Sequence, residues 1–185
     1  MNYAAALAQV GQRVVLMDMD LRRPTVGKRL GIADDAPGVS SYLLGHKSAN
    51  EIHQPTRVPG LSVIPAGPRI PNPAEQLAGP HTRELFNDLS ELFDVIVVDT
   101  APVNSVADTL SLLPYAQVVL MVVRAARTPE RAVQRAISEI YRAGAQINGI
   151  VLNHLPKRGG YGYYYYYYSK DGYKSGGVYG APDKN

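Results

Sequence analysis

Acidic side chains follow two apolar runs in this chain of 185 residues. Asp18 and Asp20 come after the run at residues 14–17, and Asp99 follows the run at residues 95–98. Such runs are typical of strands buried on both sides of a parallel sheet, and ligands bind beyond the carboxyl ends of such strands. Mg²⁺ takes one or two carboxylates and keeps several waters, so the three acids predict a magnesium-nucleotide site. The alternative is that each Asp caps the turn that follows it.

Tyrosines are concentrated near the C-terminus, where nine of the thirteen lie between residues 161 and 179 and six are consecutive. A folded core has no use for such a run, because several rings would remain in water on any regular element. Glycines on both sides resist ordering. We therefore predict a flexible tail whose hydroxyls accept phosphate; the alternative is a low-complexity end without a role. The candidate phosphoacceptors are Tyr161, Tyr163, Tyr164, Tyr165, Tyr166, Tyr167, Tyr168, Tyr173 and Tyr179.

Composition narrows the possible function classes. The chain has no cysteine, which excludes disulfides and cysteine-ligated metals. Residues 1–155 carry 14 basic and 14 acidic side chains, whereas the remainder carries five basic and two acidic ones. The net charge of +3 therefore belongs to the tail, and we predict no nucleic-acid partner. No apolar run reaches the ~18 residues of a membrane span, and no secretion leader is visible, so we expect a cytoplasmic location.

The elements that must position the acids alternate between strand and helix patterns, which predicts an α/β fold with a parallel sheet. We divide the chain into a domain at residues 1–156 and a flexible tyrosine-rich tail at residues 157–185. Thr128, Pro129 and Glu130 predict a helix start with Thr as N-cap. The predicted strands are at residues 14–17, 61–64, 95–98, 118–123 and 147–152. The predicted helices are at residues 4–10, 39–44, 74–92 with a break at Gly79-Pro80, 108–113 and from Thr128 to about Arg142.

Several motifs together resemble those of the bacterial tyrosine kinases (BY-kinases). Val-Val-Leu-Met-Asp18-Met-Asp20-Leu-Arg22-Arg-Pro is similar to their Walker A′ motif, and Phe-Asp-Val-Ile-Val-Val-Asp99-Thr-Ala-Pro to their Walker B motif. Pro-Asn-Pro-Ala-Glu-Gln-Leu at residues 71–77 resembles another family segment. The tyrosine cluster lies where the family carries its autophosphorylation sites. The combination of the A′ motif with a polytyrosine tail is highly specific.

The resemblance implies a P-loop NTPase-like fold of the deviant-Walker ATPase group and an ATP-dependent protein-tyrosine autokinase that phosphorylates its own tail. It implies ATP and Mg²⁺ as cofactors, with Asp20 and Asp99 holding the metal. Asp18 would orient the acceptor hydroxyl and accept its proton. Asn153 resembles the adenine-side Asn of related ATPases. Arg124 would lie near the nucleotide, although a strand-end salt bridge fits it equally well.

The resemblance also implies partners: a ring-like homo-oligomer, a membrane-anchored polysaccharide co-polymerase module and a cognate tyrosine phosphatase. The family role is regulation of exopolysaccharide or capsule synthesis and export, at the inner face of the cell membrane through a module or partner outside this chain. For Arg22 and Arg23 two interpretations remain open: contact with phosphate or a neighbouring subunit, or a solvated basic turn.

The family's phosphate-binding sequence, Gly-x-x-x-x-Gly-Lys-Ser/Thr, is absent from this chain, and Gly27-Lys28-Arg29 lacks its spacing and hydroxyl. We therefore expect an N-terminally truncated domain that lacks its first strand, an inner strand whose loss leaves two neighbours unpaired. One alternative function is a catalytically dead fragment that serves only as a phosphorylation substrate or interaction module. Another is a partitioning-type ATPase, which would have no evident use for the tyrosines.

Overall fold

A computed structural model describes residues 1–155, and these residues form the expected α/β fold with a mostly parallel sheet. The predicted tail at residues 157–185 lies wholly outside the described part. The strands are β1 (Val14–Asp18), β2 (Gln54–Pro55), β3 (Leu61–Ile64), β4 (Val95–Asp99), β5 (Leu120–Arg124) and β6 (Gly149–Asn153). The helices are α1 (Asn2–Gln9), α2 (Val26–Leu30), α3 (Val39–Leu43), α4 (Ala49–Ile52), α5 (Pro73–Ala78), α6 (Pro80–Leu92), α7 (Asp108–Leu112) and α8 (Glu130–Arg142), with a 3₁₀ turn at Leu113–Tyr115.

Strand β1 is the centre of a four-stranded sheet of order β2-β3-β1-β4. It runs parallel to β3 and β4, and all five of its residues are buried. Because side chains alternate along a strand, Val15 and Met17 enter the core with α3, α5 and α6. Val14 and Leu16 enter the core on the other face, with α1. This burial on both faces is what the apolar run predicted.

Strands β5 and β6 form a separate parallel pair. The apolar run at residues 118–123 suggests a strand buried on both sides like β1, but Val118 and Val122 are 61% and 64% exposed. The strand also begins only at Leu120, since the backbone of the residue before it bonds to Asn148. Within the described part, β4 pairs only with β1 and β5 only with β6. Each therefore keeps one edge without a paired strand among residues 1–155.

The sequence predicted the division between α5 and α6 correctly, but not the residue that caps α8. The break at Gly79-Pro80 is confirmed, because Gly79 is extended and serves as N-cap while Pro80 starts α6. Thr128 is not the N-cap of α8; that position is Pro129, and the Thr128 hydroxyl instead accepts the Arg124 N–H at 3.1 Å. Helices α2 and α4 were missed because each spans only about one turn. None of the helices in residues 1–155 is long and apolar enough to cross a membrane.

Candidate functional site

The structure brings the three predicted acids to one edge of the sheet. Asp18 and Asp99 are register partners at the carboxyl ends of β1 and β4. The two strand ends are joined by a hydrogen bond from the Met19 N–H to the Asp99 carbonyl oxygen at 2.8 Å. Asp20 follows directly in the loop after β1. Parallel pairing therefore places together acids that lie about 80 positions apart in the chain.

Asp18 is buried and bonded to backbone. Its Oδ1 accepts the Asp20 N–H at 3.2 Å, and its Oδ2 accepts the N–H groups of Thr25 at 3.0 Å and Val26 at 2.9 Å. Burial raises the pKa of Asp18, the three N–H donors oppose that rise, and the charge of Asp99 adds a little to it. Asp18 thus ties the loop after β1 to the start of α2, the turn-capping role that the sequence left open.

Asp20 has a different environment. Its Oδ1 accepts the backbone N–H groups of Arg22 at 3.2 Å and Arg23 at 2.9 Å, which forms a tight turn. Both bonds use the same oxygen, and no hydrogen bond to Oδ2 is formed within residues 1–155. Oδ2 of Asp20 is therefore the oxygen available to a ligand.

Asp99 is solvent-accessible at the end of β4. Partial desolvation is the main cause that raises its pKa; the Met1 amino group opposes the rise and the charge of Asp20 adds to it. Met1 is also the N-cap of α1. The negative charges of Asp99 and Asp20 repel each other, which is unfavourable in the protein alone. A cation bound between them would remove that repulsion.

The donor chemistry of this edge fits Mg²⁺. Oδ2 of Asp20 and the carboxylate of Asp99 are hard oxygen ligands, and Mg²⁺ is usually bound by one or two carboxylates together with water and phosphate oxygens. Residues 1–155 contain no group of three or more His, Cys, Asp or Glu side chains arranged for a metal. The remaining ligands would therefore come from water or from a bound nucleotide.

Arg22 forms an ion pair that sequence reasoning missed. Its guanidinium donates to both oxygens of Asp108, at 2.6 and 3.1 Å. Asp108 is the first residue of α7, and its buried carboxylate faces the loop after β1. The two residues are 86 positions apart, and no local pattern in the sequence signals such a pairing. Within the described part of the chain, Arg23 forms no ion pair.

The two predicted nucleotide contacts lie together at the carboxyl end of the β5–β6 pair. Arg124 and Asn153 are register partners, and both are exposed. The Asn153 Oδ1 accepts the His154 N–H at 2.8 Å. No salt bridge forms at Arg124 among residues 1–155, and no hydrogen bond there joins either residue to the acids. Their part in nucleotide binding stays a prediction.

Comparison with known proteins assigns the family. Residues 1–151 match the AAA domain family model. CapB of Staphylococcus aureus, named as a putative tyrosine-protein kinase, is 32% identical over 155 residues. The match covers 84% of this chain and 68% of CapB. The kinase domain of VpsO is 34% identical, with a TM-score of 0.79 over 84% of this chain and 76% of that domain. The chain belongs to the BY-kinase family.

Other comparisons set the scope of that assignment. The tyrosine-protein kinase ptk of Acinetobacter johnsonii is 36% identical to this BY-kinase chain over 162 residues. The match covers 88% of this chain but only 22% of that relative, so the chain spans about a fifth of its length. The septum site-determining protein MinD from Pyrococcus horikoshii, solved with Mg-ADP, is 19% identical with a TM-score of 0.65 and shares the fold alone.

Proposed function

We propose that this BY-kinase chain is the catalytic part of an ATP-dependent protein-tyrosine autokinase that phosphorylates its own C-terminal tyrosines. The observation that carries the proposal is the meeting of Asp18, Asp20 and Asp99 at one sheet edge, in a chain that ends in a tyrosine cluster. Phosphoryl transfer depends on charge neutralisation and alignment more than on covalent chemistry. A sheet edge that carries three carboxylates, with Asp99 exposed, and a supply of phenols match those needs.

We assign a different role to Asp18 than to Asp20 and Asp99. Mg-ATP, when bound, supplies the phosphoryl group and neutralises its charge. Asp20 through Oδ2 and Asp99 through its accessible carboxylate would hold the metal. Asp18 has about four lone-pair sites and uses three of them on backbone N–H groups. We assign the remaining one to the acceptor hydroxyl, whose pKa of about 10 makes a nearby base useful.

The burial of Asp18 adds a condition to this role. Its side chain has no exposed surface, so a tyrosine hydroxyl reaches it only when the loop after β1 moves. Arg124 and Asn153 would contact the nucleotide from the carboxyl end of β5–β6, the same end of the strands at which the acids lie. We propose Asn153 for the adenine side.

The tail is the proposed substrate, and its charge supplies a regulatory effect. Residues 156–185 carry five basic and two acidic side chains, and each phosphate adds about −1.5 to −2 charges. A few phosphates reverse the sign of the tail, and the resulting repulsion would loosen a ring of subunits. We place this cycle in capsule or exopolysaccharide synthesis and export, with a membrane-anchored co-polymerase module at the inner face of the membrane and a cognate phosphatase.

Incubation with Mg-ATP, followed by mass spectrometry of the tail, tests the proposal. We expect phosphotyrosine at residues 161–179 in the parent protein and its loss in Asp99→Asn, which removes a metal ligand but no hydrogen bond. Glu91→Gln, which replaces an exposed acid near the end of α6, is the matched control and should leave phosphorylation unchanged. Phosphotyrosine that persists in Asp99→Asn would contradict the assigned site.

A second candidate function is a non-catalytic fragment that is only phosphorylated or bound by others. Two observations favour it: no Gly-Lys-Ser/Thr occurs in the chain, and among residues 1–155 β4 and β5 each keep an unpaired edge. This candidate predicts no tight Mg-ATP binding by calorimetry, because the backbone cradle for the phosphates is missing. Micromolar binding would exclude it. The coding DNA upstream of Met1 offers a direct check, since an in-frame phosphate-loop sequence there would favour the kinase.

A further inference from the structure

A bidentate ion pair connects the loop after β1 to the first residue of α7. Arg22 donates from Nε to Asp108 Oδ2 at 2.6 Å and from Nη2 to Oδ1 at 3.1 Å. The Asp108 side chain is 5% exposed and that of Arg22 is 43% exposed. Paired charge-assisted hydrogen bonds are both stronger and more directional than a single contact. This pair therefore fixes the position of Arg22 more tightly than an ordinary surface salt bridge would.

The same arginine also holds the site through its backbone. Its N–H donates to Asp20 Oδ1 at 3.2 Å, and the N–H of Arg23 donates to that oxygen at 2.9 Å. Asp108 is thus linked to Asp20 through one intermediate residue, although no hydrogen bond joins the two acids directly. A shift of the Arg22 backbone would move Asp20, and with it the Oδ2 that faces a ligand.

We propose that Asp108 is a positioning residue: through Arg22 it holds the turn at residues 20–24 and so fixes Asp20 relative to Asp99. The importance of that placement rests on the proposed function. The proposal also gives different roles to Arg22 and Arg23, for which the sequence left the same two interpretations open. Arg22 is committed to a buried carboxylate, whereas Arg23 forms no ion pair within residues 1–155. Arg23 is therefore the arginine of this turn that meets a phosphate without competition from a carboxylate.

A second ion pair supplies a matched control. Arg13 donates to Asp94 from Nε at 3.1 Å and from Nη2 at 2.6 Å, so it too is an Arg–Asp pair with two side-chain bonds. It joins the segments that precede β1 and β4, at the edge opposite to the acids. Its side chains are 61% and 37% exposed. Disrupting it disturbs the same two strands without touching the turn at residues 20–24.

Hydrogen exchange of the purified protein, without nucleotide, tests the proposal. In Asp108→Asn we expect amide exchange in residues 19–26 to accelerate about tenfold, a local opening of that turn, while residues 14–17 keep their rates. Arg22→Lys should act in the same direction, because an ammonium cannot replace the two-point contact. Asp94→Asn should leave residues 19–26 unchanged.

Two results would overturn the proposal. Unchanged exchange at residues 19–26 in Asp108→Asn would show that the ion pair does not hold the turn. Equal acceleration at residues 14–17 would show a general stabilising role instead of a local positioning one. The measurement needs no catalysis, so a chain that fails to phosphorylate its tail can still confirm this role of Asp108, and an active kinase can still refute it.

Discussion

Strands β1 and β5 have nearly the same kind of sequence and very different surroundings. Val-Val-Leu-Met-Asp in β1 is buried throughout, whereas Leu-Met-Val-Val-Arg in β5 alternates between exposed and half-buried. The difference lies in their neighbours: β1 has a paired strand on each edge and a hydrophobic core on each face, while β5 pairs within residues 1–155 only with β6. An apolar run therefore indicates a strand that is suited to burial, and its neighbours decide whether it is buried.

The largest expected effect compares one leucine from each sheet. Leu16→Ala in β1 should lower the free energy of unfolding by about 2–5 kcal/mol, because Leu16 is 3% exposed and its removal leaves a cavity. Leu152→Ala in β6 should change it by less than about 1 kcal/mol, since Leu152 is 49% exposed. Urea unfolding of both variants gives the two values. Equal losses would mean that β6 is covered in solution by something outside residues 1–155.

A smaller effect is expected from replacing the acids that end β1 and β4. Asp18→Asn should lower the free energy of unfolding by about 1–3 kcal/mol, because an amide NH₂ cannot accept from the backbone N–H groups that the carboxylate now satisfies. Asp99→Asn should be neutral or stabilising, since it removes a partly desolvated charge and no hydrogen bond. Thermal unfolding at pH 7 compares them. A destabilised Asp99→Asn would show that this charge already has a stabilising partner.

The smallest effect is a difference in how stability depends on pH through Asp99 in the site and through Glu51 on the surface. The pKa of Asp99 is raised, mainly by desolvation, so its folded form binds protons more tightly than its unfolded form and its contribution to stability falls as the pH rises above about 4. The pKa of Glu51 is lowered to about 2, first by its hydrogen bond with Lys47 and then by Ser48. Its stabilising contribution is therefore present above the ordinary Glu pKa and is lost as the pH falls toward 2.

Stability curves between pH 2 and 7 separate these two contributions. Relative to the parent, Asp99→Asn should gain stability with rising pH, and Glu51→Gln should lose it over the same range. The Glu51 effect should be slight, because both members of its pair with Lys47 are about half exposed. Curves with the same slope for both variants would contradict the assigned directions.

Several features of the fold followed directly from sequence. The apolar runs located β1, β3 and β4, and Gly79-Pro80 located the division between α5 and α6, because backbone restrictions of Gly and Pro act locally. The strand-end positions of Asp18 and Asp99 also predicted their meeting, since parallel strands bring their carboxyl ends to one edge. These inferences required only local sequence patterns and the fact that parallel strands place their carboxyl ends at the same edge of the sheet.

Other features depended on contacts between distant segments. The sequence alone determined that this chain is an α/β protein with acids at its strand ends and a tyrosine-rich terminus, because composition and periodicity act within a few residues. Only the tertiary structure decided that the Asp18 carboxylate accepts three backbone N–H groups, that Arg22 is paired with Asp108, and that β5 remains exposed. The Asp18 bonds depend on how the loop after β1 folds back onto the strand end. The other two depend on which distant segment pairs with or covers a residue, and a short sequence pattern does not specify that partner.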